Sequence, residues 1–156
     1  RFGMRMELHQ PYENLTYYGR GPFENYIDRY SGAFIGRYED KVENQFYWYI
    51  RPQETGNKTD VRWLTLLDSG GLGVKITGLQ PISFSALHFS PEDLDPGLTR
   101  KLQHTIDIVP QKNIFLHIDL KQRGLGGDNS WGMYPHNEYR LLDKKYSYSY
   151  MIELID

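Results

Sequence analysis

The stretch Tyr146-Ser-Tyr-Ser-Tyr-Met-Ile-Glu-Leu154 alternates strictly: Tyr146, Tyr148, Tyr150, Ile152 and Leu154 fall on one side, Ser147, Ser149, Met151 and Glu153 on the other. Only an extended strand sends successive side chains to opposite faces, so this spacing predicts a β-strand with one buried face. The same period recurs along the chain. Phe2, Met4, Met6 and Leu8 alternate at the start, and Ile114, Leu116, Ile118 and Leu120 do so further on. Val61–Leu67 and Leu72–Thr77 flank Asp68-Ser-Gly-Gly71 and read as a hairpin. Pro81-Ile-Ser-Phe-Ser-Ala-Leu-His-Phe89 reads as another strand, ended by Ser90-Pro91. Helical period is scarce. The best candidate follows Ser90, which suits a cap, with Pro91, Glu92 and Asp93 in the first turn and Pro96-Gly97 stopping the helix within two turns.

Composition agrees with strands. The chain has 13 Tyr, 7 Phe and 3 Trp, residues that suit a pleated, half-buried surface. Its 156 residues make about one domain, without internal repeat or linker. A chain of this size buries roughly 70% of the surface its unfolded form exposes. The expected fold is all-β, an antiparallel β-sandwich with long, aromatic-rich loops, over residues 1–156. Because the sequence opens inside a strand pattern, we expect a piece of a longer protein.

Charge and cysteine content exclude several functions. The net charge is −2 with both signs mixed, which gives no basic field for nucleic acid or an anionic membrane. With no cysteine there is no disulfide framework and no thiolate metal site. That composition fits a cytoplasm or a periplasm. No apolar run approaches the ~20 residues of a membrane span.

Gly124-Leu-Gly-Gly-Asp-Asn-Ser-Trp-Gly132 poses a choice. A phosphate loop needs a helix directly after its glycines, and Trp131-Gly132-Met133-Tyr134-Pro135 does not start one well. The glycines instead permit unusual backbone angles and close approach. Asp128, Asn129 and Ser130 can bond local amides and stiffen the turn, with Gly126 and Gly127 supporting it. Trp131 then either plugs the core or faces a ligand. Small and polar neighbours give the segment little to bury, which favours the ligand-facing position.

Tyr18-Gly-Arg-Gly-Pro-Phe-Glu-Asn-Tyr-Ile-Asp-Arg29 is a dense polar stretch. It reads as a binding loop or, preferably, as a buried network with Arg20 and Arg29 forked to Glu24 and Asp28. Arg51-Pro-Gln-Glu-Thr-Gly-Asn57 is similar, with Glu54 and Arg62 as expected partners. Asn137-Glu138 mimics a glycosidase acid/base, but a solvated strand face is the preferred reading. Glu92, Asp93 and Asp95 read as solvated. A glycosidase needs two carboxylates about 5 to 9 Å apart, and no motif here supplies that pair. His88, His104, His117 and His136 lack metal-ligand spacing. Pairing His88 or His117 with Glu54 or Glu138 for sugar acid/base work has no motif behind it.

The stretches 18–29, 51–57 and 124–131, in this order, resemble the C-terminal domain of the large bacterial β-galactosidases of glycoside hydrolase family 2. The resemblance covers essentially the whole chain. It implies an antiparallel supersandwich of galactose mutarotase-like type, of which this chain is the C-terminal part, beside a separate (β/α)8 barrel that holds both catalytic glutamates. It places Trp131 in the sugar pocket as a substrate-binding residue, and places no catalytic or metal-binding residue in this chain. No cofactor is expected here; magnesium and sodium of the parent would be bound outside this chain. The implied partners are a β-galactoside, the barrel and further copies of the chain. A stand-alone carbohydrate-binding domain and a purely structural or oligomerisation module are the alternatives.

Overall fold

The computed structural model describes residues 1–9, 11–95, 97, 103–129 and 131–156. Seven antiparallel strands make one sheet. They are β1 (Phe2–Leu8), β2 (Asn14–Gly21), β3 (Phe34–Lys41), β4 (Lys58–Leu67), β5 (Gly73–Leu87), β6 (Ile114–Lys121) and β7 (Tyr150–Ile155). The order across the sheet is β1-β6-β5-β4-β2-β3, and β7 pairs with β5. The chain is all-β, as its alternation predicts.

The apolar positions of each strand fall on a shared face. Leu15 and Tyr17 of β2, Leu64 and Leu66 of β4, Val74, Ile76 and Phe84 of β5, and Ile114, Leu116 and Ile118 of β6 form the main core. Met4, Met6 and Leu8 of β1 pack against its margin. A second apolar cluster, Phe46, Leu87, Phe89, Leu94 and Ile108, lies apart from the first. Strand β4 bulges on either side of Val61, with Asp60 at a φ of 53°. Bulges bend a strand and raise its twist.

Two details differ from the sequence reading, and the helix agrees with it. The hairpin strand and the Pro81–Phe89 strand are one 15-residue strand, β5. Its first half pairs with β7 and its second half with β6, both opposite β4. Pro81, which has no N–H to donate, sits where the partner changes. The helix, α1 (Pro91–Leu94), is a single turn, capped by Ser90 in a reciprocal box with Asp93. Strand β7 begins only at Tyr150. Tyr148 and Tyr150 pack on the core, but Ile152 and Leu154 are 43% and 79% exposed, so the last alternating positions are not buried.

No helix among the described residues is long and apolar enough to cross a membrane.

Candidate functional site

The three polar stretches meet in space. Strand β2 runs out through Gly21 into a loop whose Glu24, Asn25 and Tyr26 are buried. The side-chain oxygen of Asn25 accepts from the Thr59 N–H at 2.9 Å and the Thr59 hydroxyl at 2.6 Å. Asn57 donates its side-chain amide to the Asn25 carbonyl at 2.8 Å, and the Asn25 N–H bonds the Asn57 carbonyl at 2.7 Å. Stretches 18–29 and 51–57 are thereby knitted into one body.

Glu24 is the centre of that body. Its carboxylate accepts from the Gly56 N–H at 2.7 Å, the Thr55 hydroxyl at 3.2 Å and the Tyr49 hydroxyl, and pairs with Arg29 at 2.5 Å. Burial pushes its pKa up, but the bonds from Tyr49 and Gly56 and the Arg29 charge outweigh this and hold it below the usual carboxylate range. The preferred structural reading of this stretch thus holds for Glu24 and Arg29. It does not hold for Arg20, which pairs with Asp60 at 2.5 Å because the β4 bulge brings that carboxylate across. Nor does Glu54 pair with Arg62: it pairs with Arg1 at 2.7 Å, while Arg62 bonds the Asp60 carbonyl.

Asp28, left over from this network, does something else. Its carboxylate accepts from the Gly126 N–H at 2.7 Å. It lies so close to the glycine loop that a Cβ at Gly124 would come within 2.6 Å of it, and one at Gly126 within 3.2 Å. The first two loop glycines are therefore what lets the loop lie on Asp28. Gly127 faces the Met133 carbonyl, which a Cβ would meet at 2.4 Å. Sequence reasoning gave Asp28 an arginine partner; a free carboxylate beside an unpaired loop amide was not visible without the fold.

Beyond Asp28 the loop projects. Asn129 accepts from the Trp131 N–H at 2.8 Å, and Gly132 takes a φ of 107°. Asp128 pairs with His136 at 2.9 Å, which raises the histidine pKa. Ser130 lies outside the described residues. Trp131 is 92% exposed, with Met133 and Tyr134 exposed beside it. A cavity of about 380 Å³ lies at the base of the loop, lined by Tyr26, Asp28, Arg29, Tyr49, Leu125 and Gly126.

The other candidates are dispersed. Glu138 is exposed on a short 3-10 turn, Asn137–Tyr139, and not on a strand. His88 is held by Glu13 at 3.0 Å and by the Asn113 carbonyl at 3.1 Å. Glu92 pairs with Arg5 at 2.8 Å. Among the described residues, no group of three or more His, Cys, Asp or Glu is placed to hold a metal ion.

The β-galactosidase small-chain model matches residues 1–152. The chain belongs to that family. It is similar to the β-galactosidase of Priestia megaterium, 39% identical over 139 residues, which is 89% of this chain and 13% of that protein. The Streptococcus thermophilus β-galactosidase is 36% identical over 154 residues, covering 97% of this chain and 14% of its own length. That of Photobacterium profundum is 33% identical over 155 residues, again 14% of its length. This small-chain segment therefore spans only 13–14% of the curated relatives it matches.

Proposed function

We propose that this chain is the non-hydrolytic, mutarotase-like β-sandwich part of a bacterial β-galactosidase, and that Trp131 completes the sugar pocket of a separate catalytic barrel. The observation that carries the proposal is the indole at the end of the glycine loop, 92% exposed on a segment tied to Asp28. A solvent-facing tryptophan offers an apolar plate to the C–H face of a pyranose. The barrel performs retaining hydrolysis of a terminal β-galactose with its own pair of carboxylates.

The test is Trp131→Ala in the full-length enzyme. Covering ~60 to 100 Å² of apolar surface at about 25 cal/mol per Å² gives about 1.5 to 2.5 kcal/mol. That is a roughly ten- to seventyfold weakening of substrate binding. The melting temperature should stay within about a degree of wild type, because an exposed side chain contributes little to the core. A large loss of stability with unchanged Michaelis constant would show that the residue packs inside the assembled enzyme.

A further inference from the structure

After β6, the described residues between Gly124 and Tyr139 close on themselves. The Gly124 N–H donates to the Tyr139 carbonyl at 2.7 Å and ties the two ends of the segment together. Gly127 lies so close to the Met133 carbonyl that a Cβ would clash with it. A third tie is made by side chains: Asp128 Oδ1 meets His136 Nε2 at 2.9 Å. A compact surface segment with adjoining ends, packed by its own groups, is an Ω-loop. Trp131 stands at its outer end, 92% exposed.

Both partners of the third tie sit on fixed supports. Asp28 accepts the Gly126 N–H at 2.7 Å and so holds the arm that leads to Asp128. His136 opens the 3-10 turn Asn137–Tyr139, its carbonyl accepting the Tyr139 N–H at 2.9 Å. That turn also carries the carbonyl that holds Gly124. The Asp128–His136 pair joins arm to turn just before Trp131. The next residue, Asn129, accepts the Trp131 N–H at 2.8 Å, so a displacement of Asp128 carries the indole with it.

The strength of this tie depends on a proton. With a charged imidazolium it is a charge-assisted bond; a neutral imidazole leaves at most an ordinary one. The bond from Asp128 raises the His136 pKa above its usual 6.5, and the Glu138 charge acts in the same direction. The guanidinium groups of Arg123 and Arg140 are turned to the Tyr134 ring, at 5.7 and 4.9 Å. Because the pKa is raised, the contribution of the charged pair is complete below pH 6.5 and is lost as the pH rises through the raised value. Both side chains are exposed, and an exposed pair adds little to global stability. A surface loop opens at far smaller cost than the fold, so the same small bias changes how long it stays closed.

We propose that Asp128 and His136 form a pH-sensitive clamp on this loop, with His136 the positioning residue that holds Trp131 in place below neutral pH and releases it in alkali. The consequence for catalysis rests on the reading of Trp131 as a sugar-binding residue: substrate affinity of the intact enzyme falls as the clamp opens. The clamp itself is a property of the loop and does not depend on that reading.

Limited proteolysis of this chain with a chymotrypsin-type protease, cutting after Trp131 and Tyr134, reads the clamp directly. The pH dependence of the protease cancels in the ratio of variant to wild type. At about pH 6, His136→Ala should be cut roughly two- to fivefold faster than wild type, the range of an exposed ion pair, and at about pH 9 the two rates should converge. Asp128→Asn should shift in the same way. His136→Arg, charged throughout, should match wild type at about pH 6 and be cut more slowly than wild type at about pH 9. Unchanged melting temperatures will show that all three variants fold. In the full-length enzyme, the ratio of the His136→Ala KM to that of wild type should follow the same pH profile, with kcat nearly constant. Proteolysis ratios that are equal at both pH values, or an arginine variant that behaves like the alanine one, would overturn the clamp. A clamp seen by proteolysis without any change in KM would support the clamp and overturn the role of Trp131.

Discussion

Asp28 shows how a single carboxylate decides where a distant tryptophan stands. By accepting the Gly126 N–H it fixes the base of the loop that ends in Trp131. Asp28→Ala should free that base, and limited proteolysis within 124–131 should be several-fold faster than in wild type. Asp28→Asn, which keeps an accepting oxygen, should cut at a rate close to wild type; equal acceleration in both would mean that charge, and not the hydrogen bond, holds the loop. A second pair of residues predicts a pH response. Burial raises Asp119 from its ordinary 3.8 to about 6, so it binds its proton more tightly in the folded chain. Its stabilising contribution is complete below pH 3.8 and is lost as the pH rises through about 6. Burial lowers His117 from 6.5 to about 4, so its contribution is complete above pH 6.5 and is lost as the pH falls through about 4. Each shift corresponds to about 3 kcal/mol, and over pH 4 to 6 the two oppose one another. Relative to wild type, Asp119→Asn should lose stability as the pH falls from 6 to 4, and His117→Gln should gain it. Melting curves across that range measure both slopes, and parallel curves for all three proteins would contradict the assignment.

Among the elements, β7 is largely exposed along its length. It pairs with the first half of β5, and its Ile152 and Leu154 lie opposite Ile76 and Val74 in the register. Those β5 residues are buried, whereas Leu154 is 79% exposed, so the apolar face of the sheet continues past the last side chain that covers it. Strand β1 is different. Its even face, Met4, Met6 and Leu8, alternates as a candidate for an open surface, yet it packs on the core because β1 pairs with β6 and closes over it. An uncovered apolar strand favours association. The chain should self-associate at high concentration, and Ile152→Lys with Leu154→Lys should make it monomeric by light scattering without lowering its melting temperature. A wild-type chain that remains monomeric throughout would sink this.

At the scale of the whole molecule, the distribution of carboxylates bears on hydrolysis. Glu24 is committed to a structural network and Glu92 to Arg5, while Glu138 is exposed on its own turn. Retaining or inverting hydrolysis needs two carboxyl groups facing each other across a sugar. The chain alone should release no nitrophenol from a nitrophenyl β-galactoside above the buffer rate. Turnover abolished by Glu138→Gln would overturn this expectation and with it the proposed division of labour between this chain and a separate barrel.

The alternation of Leu64, Leu66, Ile114, Leu116 and Ile118 was enough to predict strands and the main core, because side-chain direction in a strand is a local property of the backbone. The Ser90 cap and the single turn after it were equally local, set by a hydroxyl, a proline and an acidic residue within four positions. The motif spacing along the chain was legible too, and it carried the family. What the sequence left open depends on strand order. Pro81 suggested a break between two strands, and only the exchange of β7 for β6 as partners shows why one strand passes through it. Arg20 found Asp60, 40 positions away, because a bulge in β4 turned that carboxylate toward it. His117 and Asp119 alternate with the core isoleucines just as solvent-facing residues would. Their burial follows from β6 lying between β1 and β5 and from the covering of its second face, which are long-range contacts that no local pattern encodes.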